Sequence, residues 1–311
     1  MQVSRVRLLL SLSMGIAAIS FASIFIRFAQ AENVPTLSIA AWRLVFASLV
    51  LFPYAWATRR DEIRDLSRQE LGLLVASGVF LGLHFATWIA SLGYTSVASS
   101  VVLVSMGPLF VGLGSWIFLK ERPSVRLTAG ILMAAAGSIV ISLGDFGQGQ
   151  DQLLGDLLAL VGAIMVAGYF MIGRKVRARR SLTAYIALVY GVAMLTLVVI
   201  VAAGGQPMLG FSLSAYGWML ALGLLPQLVG HSTLNWALRH LSATYVSIVT
   251  LAEPLGSGIL AYIILGEAVS WSKAAGGTLI LAGIYMASQG EMRRSQGDGM
   301  KGKDAVQSRH Q

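Results

Sequence analysis

The residues of this sequence with chemistry to offer are ionisable side chains inside long apolar runs, because each costs about 2.5–3.5 kcal/mol to place at the centre of a membrane helix. Six stand out: Arg27, Arg43, His84, Asp156, His231 and Glu253. Glu253 is the deepest, and Pro254 follows it. Proline has no N–H to donate, so the carbonyl of Thr250 is expected to lose its helical partner. Thr250, Glu253 and Ser257 share one helix face at spacing i, i+3, i+7. A carboxylate beside an interrupted helix suits a substrate amine or a coupling proton. The competing role is a protonated acid hydrogen-bonded to a neighbouring helix.

His84 and Trp88 are i, i+4 neighbours. Gln227, His231 and Asn235 form a second polar stripe at i, i+4, i+8. Arg43 is expected to reach the outer interface by snorkelling, to hold a substrate carboxylate or to pair with Asp156, and Arg27 to anchor at the outer interface. The substrate-binding candidates are therefore Glu253, His84, Trp88, His231, Asn235, Arg43 and Thr250. No third ligand stands at a recognised spacing from the histidines, so no metal site and no cofactor is expected. There is no cysteine, no Gly-x-Ser-x-Gly and no His-Glu-x-x-His, which leaves no catalytic candidate. The stretch GDGMKGKD at 297–304 has Walker A glycine and lysine spacing but Asp where Ser or Thr must hold magnesium.

These residues need helices to hold them. Hydrophobic residues are 56% of the 311 and charged residues 12%, against about 25% charged in soluble proteins. Mean hydropathy is +0.73. Such a composition excludes an ordinary soluble enzyme, a disordered chain and a disulfide scaffold. Ten runs are long enough to cross about 30 Å of hydrocarbon. They are span 1 (8–29), span 2 (37–57), span 3 (70–91), span 4 (96–119), span 5 (126–144), span 6 (154–173), span 7 (183–203), span 8 (214–237), span 9 (242–265) and span 10 (272–289). The first run is too long for a cleavable leader and reads as a span. Residues 290–311 are polar and Gly-rich and read as a disordered cytoplasmic tail.

Charge orients the chain. Of 23 Lys and Arg, 20 fall on the termini and connections of one side, Lys273 alone falls on the other, and Arg27 and Arg43 lie within spans. That bias predicts both termini in the cytoplasm. It also accounts for the net charge of +9 through anionic lipid, with no nucleic acid required. Four tryptophans near span ends, Trp42, Trp56, Trp218 and Trp271, read as an aromatic belt. Gly78 and Gly82 form a small-xxx-small packing pair.

A shift of 146 residues aligns 96–140 with 242–286 without a gap, and twelve of 45 positions are identical. The matches include Pro108/Pro254, Glu121/Glu267, Gly130/Gly276 and Gly137/Gly283. Spans 4–5 thus correspond to spans 9–10. With five spans per half, the second half inserts inverted relative to the first, a pattern of secondary transporters. Span 3 then corresponds to span 8, and the two histidines differ by 147, one residue from the repeat offset. The symmetry predicts one pocket holding His84, Trp88, His231 and Asn235 and touching Glu253.

The arginine in AAWRLVFASL, the stretch SVASSVVLVSMGPLFVGLGSWIFLKERPS and its echo SATYVSIVTLAEPLGSGILAYIILGEAVS carry a resemblance. The sequence resembles EamA-type ten-helix transporters of the drug/metabolite transporter superfamily. The resemblance implies an all-α polytopic membrane protein of ten transmembrane helices, built as inverted five-helix repeats over 8–144 and 154–289. It implies a central cavity, alternating access and a small-molecule substrate exported across the inner membrane, an amino acid-like or other amphipathic compound or a drug. It makes Arg43 as much a part of the scaffold as of a site. The bilayer and a coupling proton are the other expected partners.

Overall fold

The computed structural model describes residues 4–91, 94–95, 100, 103–120, 123–142, 152–266 and 271–307. The ten apolar runs become helices, and the protein is an all-α polytopic membrane protein. Among the described residues seven helices are long and apolar enough to span: Val6–Ala31, Thr36–Arg64, Arg68–Ser91, Gln152–Arg177, Leu182–Ala203, Leu213–Ala237 and Ala243–Leu265. Shorter apolar helices, Gly107–Phe118 and Val125–Val140, occupy spans 4 and 5. Span 10 opens the helix Trp271–Gln307. Large apolar side chains such as Leu49, Val199 and Ile263 remain exposed, as a lipid-facing surface requires.

Serines start several of these helices. Ser4, Ser181, Ser212 and Ser242 each accept a hydrogen bond from a backbone N–H three residues on. Ser67 and Glu70 cap each other reciprocally, at 3.1 Å and 3.2 Å. The chain differs from expectation at its end, because the last helix continues to Gln307 through the segment expected to be disordered. Extending a formed helix needs no new nucleus, and no proline intervenes after residue 290.

Four spans are interrupted. Span 1 is two helices, Arg5–Ser20 and Ala22–Ala31. Span 4 restarts as a helix at Gly107. Span 8 carries a π-helix over Gly223–His231, with Pro226 inside it. Span 9 runs Ala243–Val249, then a 3₁₀ turn Thr250–Ala252, then Glu253–Leu265. Each break except that of span 1 contains a proline or leads directly into one, at Pro108, Pro226 and Pro254.

The repeats meet at spans 5 and 10. A Cβ added to Gly130 would lie 2.5 Å from the Gly283 carbonyl oxygen, and one on Gly137 would lie 2.5 Å from that of Gly276. The offset of 146 maps each of these contacts onto the other, so one contact is made twice about a pseudo-twofold axis. Gly78 and Gly82 let span 3 approach Val192 and Thr196 of span 7 just as closely. Glu121, Ser270 and Glu267 of the aligned segments lie outside the described residues, as does the side chain of Lys273.

Connections assigned to one side by charge meet in space. Arg180, after span 6, donates to Glu70 before span 3 through two bonds of 2.8 Å and 2.7 Å. These bonds raise the Arg180 pKa above its ordinary value. Arg177 is 1% exposed and donates to the carbonyls of Asn235 and Arg180. Arg174 reaches the Leu238 carbonyl at 3.0 Å. On the opposite face Ser38 and Trp42 donate to the carbonyls of Pro207 and Met208, and Ser212 donates to Glu32. At the basic side the Ser181 N–H before span 7 donates to Glu62 after span 2 at 2.6 Å, so spans 2 and 7 are tied to each other's flanking segments at both ends.

Candidate functional site

The two interrupted helices of spans 4 and 9 point at one cavity of about 260 Å³. Gly107 and Pro108 open one helix, Glu253 and Pro254 open the other, and all four residues line the cavity. The pairs are repeat mates. Thr250 also lines it, with its hydroxyl donating to the Ser247 carbonyl at 2.6 Å. The expected loss at Thr250 does not occur, because the 3₁₀ turn gives its carbonyl the N–H of Glu253. Among the described residues no side chain bonds the Glu253 carboxylate; only its backbone oxygen accepts a bond, from Ser20, at 3.4 Å.

His84 lines the cavity from span 3 and sits 2.9 Å, through Nδ1, from the Gly162 carbonyl oxygen. A carbonyl only accepts, so Nδ1 carries the proton and Nε2 is the acceptor. Its ring stacks on Trp88 with centroids 6.0 Å apart and planes 11° apart. The Trp88 indole N–H is buried without a hydrogen-bond partner among the described residues, and so is His231 Nδ1. Both residues line the cavity. A polar atom left without protein partners beside a cavity suits a ligand or water as partner.

Two expected members lie elsewhere. Asn235 is fully buried away from the cavity, where it donates to Tyr169 at 2.5 Å, to Tyr190 at 3.2 Å and to the His231 carbonyl at 2.9 Å. The bonds to Tyr169 and Tyr190 hold Asn235 inward, although it lies on the α-helix Ser232–Ala237. The π-helix ends at His231, and its i→i+5 bonding breaks the stripe between Gln227 and His231. Gln227 is turned inward too and is fully buried.

Arg43 is the second. Its Nε donates to Gln227 Oε1 at 2.8 Å, and its guanidinium lies 4.6 Å from the Phe85 ring centroid. Phe85 in turn packs edge-on against His231 at 5.7 Å. Arg43 therefore stands behind the cavity wall. Its pairing with Asp156 does not form either, since Asp156 accepts from Thr95 at 2.8 Å. Aromatic stacking and a neutral amide supply part of what an acid would have supplied, while Arg43 Nη2 stays buried without a hydrogen-bond partner among the described residues.

The remaining lining includes Ser23 and Ile19 of span 1, Val166 and Phe170 of span 6, and Ser257 of span 9. Apolar members such as Val166 and Phe170 have no sequence signal, being indistinguishable from lipid-facing residues. Ser257 had one in its spacing from Glu253, and it donates to the Ser20 carbonyl at 3.0 Å. Among the described residues no Lys or Arg lines the cavity.

Comparison with known proteins gives a consistent picture. The model of the EamA-like transporter family matches residues 8–143 and again 153–289. An uncharacterized transporter of Archaeoglobus fulgidus is 29% identical over 294 residues, covering 92% of this chain and 98% of that one. The pseudopaline exporter CntI of Pseudomonas aeruginosa is 25% identical over 257 residues, covering 83% and 87%. A solved crystal structure, 21% identical, covers 93% of this chain and 99% of its own with a TM-score of 0.78, and so shares the fold. These are transporters rather than enzymes where their names state a role. Two family matches in tandem, on halves that meet symmetrically, show that the chain belongs to the EamA-like transporter family of the drug/metabolite transporter superfamily.

Proposed function

We propose that the protein is a secondary exporter of the inner membrane, with both termini cytoplasmic, that moves small amphipathic metabolites, amino acid-like and other zwitterionic compounds among them, by alternating access through the Glu253 cavity. The observation that carries this reading is the convergence of two symmetry-related helix breaks, Gly107-Pro108 and Glu253-Pro254, on one cavity. Interrupted spans at a repeat interface are where transporters of this general build place substrate. His84, Trp88, His231 and Thr250 complete the binding wall, and Glu253 receives a substrate amine or a coupling proton. Arg43 and Asn235 act from behind it as positioning residues. Export as the direction is supported by the exporter among the relatives.

A second reading, a multidrug exporter of the same fold, is favoured by the withdrawal of Arg43. It leaves a cavity of aromatic and acidic groups with no guanidinium to select a carboxylate. Metabolite profiles of medium from overexpressing and deletion strains test the two together: a single accumulating metabolite supports the first, and broad drug resistance without one supports the second. Reporter fusions at the C-terminal tail and near residue 148 should report opposite sides of the membrane. The same side for both would overturn the orientation.

A further inference from the structure

The chemistry of the cavity wall bears on what it takes. This step rests on the reading of the cavity as the substrate site, and narrows its amphipathic substrates from zwitterions to cations. The Glu253 carboxylate enters the wall with no protein hydrogen bond and no ion pair among the described residues. A carboxylate held in an apolar wall without a partner is costly, and it is relieved by a proton or by a cation brought from outside. Among the described residues the lining contains no Lys or Arg; Arg43 lies behind the wall on Gln227 and Phe85, and its charge reaches Glu253 through space without forming an ion pair.

The rest of the wall points the same way. Trp88 and His84 present stacked rings, and Phe170 adds a third. The faces of aromatic rings attract a cation through their quadrupole. With Nδ1 committed to the Gly162 carbonyl, His84 keeps an acceptor at Nε2, suited to an ammonium N–H. A zwitterion would gain the same contacts for its amine, but its carboxylate would meet no positive side chain.

We infer that the cavity selects a monovalent organic cation, a protonated amine on an aromatic or aliphatic body, over the zwitterion, anion or neutral form of the same body. Glu253 receives the ammonium, and the Trp88–His84 stack receives the body.

Four probes that share one phenyl ring isolate charge as the variable: phenethylamine, phenylalanine, 3-phenylpropionate and 2-phenylethanol. Binding is measured by calorimetry on the purified full-length protein in lipid nanodiscs. Phenethylamine is expected to bind at least about tenfold more tightly than the other three, the scale of one charge-assisted hydrogen bond. Glu253→Gln should bring it down to the level of 2-phenylethanol, with a melting temperature near the parent's reporting that the variant is folded. Glu253→Asp, which keeps the charge, should keep the preference. Phenylalanine or 3-phenylpropionate binding as tightly as the amine overturns the inference. So does an amine affinity that ignores Glu253→Gln, or no preference for the amine, including no binding at all.

Flux in proteoliposomes separates this result from the exporter reading. A Glu253-dependent amine preference without flux of the amine would leave the inference standing and remove the exporter. Flux of phenylalanine unaffected by Glu253→Gln would do the reverse.

Discussion

The spans 5–10 contact and the paired helix starts at 107 and 253 are both products of the internal repeat, yet they treat it in opposite ways. At the first, the halves agree: Gly130 meets Gly283, Gly137 meets Gly276, and each contact is the image of the other. At the second, the backbone event is kept and the side chain is not. Both helices restart before a proline, but one start is Gly107 and the other Glu253. Symmetry thus builds the container, while the charge inside it exists in a single copy. A cavity with a carboxylate on each half would bury two like charges in one low-dielectric space, which is far more costly than one.

Four measurements test this contrast. The largest effect is expected at the symmetric contact. Gly130→Val or Gly283→Val puts side-chain atoms where a carbonyl oxygen already stands, with a Cβ 2.5–2.6 Å from it. Each should cost about 4 kcal/mol or more, as overpacking of a closed contact does. Purification should then yield little monodisperse protein. Normal yield and thermal stability would show that the two halves are not held together there.

Next is Glu253→Gln, which should leave yield and melting temperature near the parent's while abolishing most transport and any pH dependence of it. A neutral amide can stand in the same space without an unpaired charge. Adding Gly107→Glu to that variant should not restore transport. A Cβ at 107 already lies 3.3 Å from Val166 Cγ1, so the new acid has no matching room. Restoration would show that the two starts are interchangeable and that the asymmetry is incidental.

A smaller effect is expected at Arg43→Lys. An ammonium cannot both donate as Nε does to Gln227 and lie flat over Phe85. Transport should fall several-fold through the placement of Phe85 and His231, with the ligand charge preference unchanged. A changed charge preference would put Arg43 in the wall itself. The smallest effect is Gly107→Ala, where Val166 must give by a few tenths of an ångström. Melting should shift by no more than the equivalent of about 1 kcal/mol, and flux should stay close to the parent's.

The parts of the fold legible in the sequence are those that glycine, proline and charge mark. The offset of 146 is readable because Pro108, Gly130 and Gly137 have identical mates. The basic connections are readable because lipid leaves their charges few places to go, and Arg174, Arg177 and Arg180 do gather at one face. Glu253, His84, Trp88 and His231 come together because each is polar where lipid would refuse it.

What the sequence hid follows from local geometry. Gln227 looked aligned with His231 only on the assumption of 3.6 residues per turn, and Pro226 sits in a segment that does not keep it. Asn235 does follow His231 on an α-helix, but Tyr169 and Tyr190, which no spacing pointed to, draw its amide inward. The one-residue difference between the histidines has a similar resolution. The true mate of His84 is Gly230, which packs against Ile19 of span 1 just as His84 abuts Gly162 of span 6. His231 is the next residue along, and it is the one that reaches the cavity. The break of span 1 at Phe21 carries no proline or glycine, so nothing in composition announced it.

The double glycine contact has a mechanical meaning as well. Two rods touching at one point can still swivel about it. Spans 5 and 10 touch at two points seven residues apart, about 10 Å along each axis at 1.5 Å per residue. A second point of contact removes the swivel, and carbonyls seated against Cα atoms resist sliding. The pair then has no internal degree of freedom to contribute. Under the proposed alternating access, any rocking would have to carry these two helices as a single beam, with the bending placed in the spans whose helices are already interrupted.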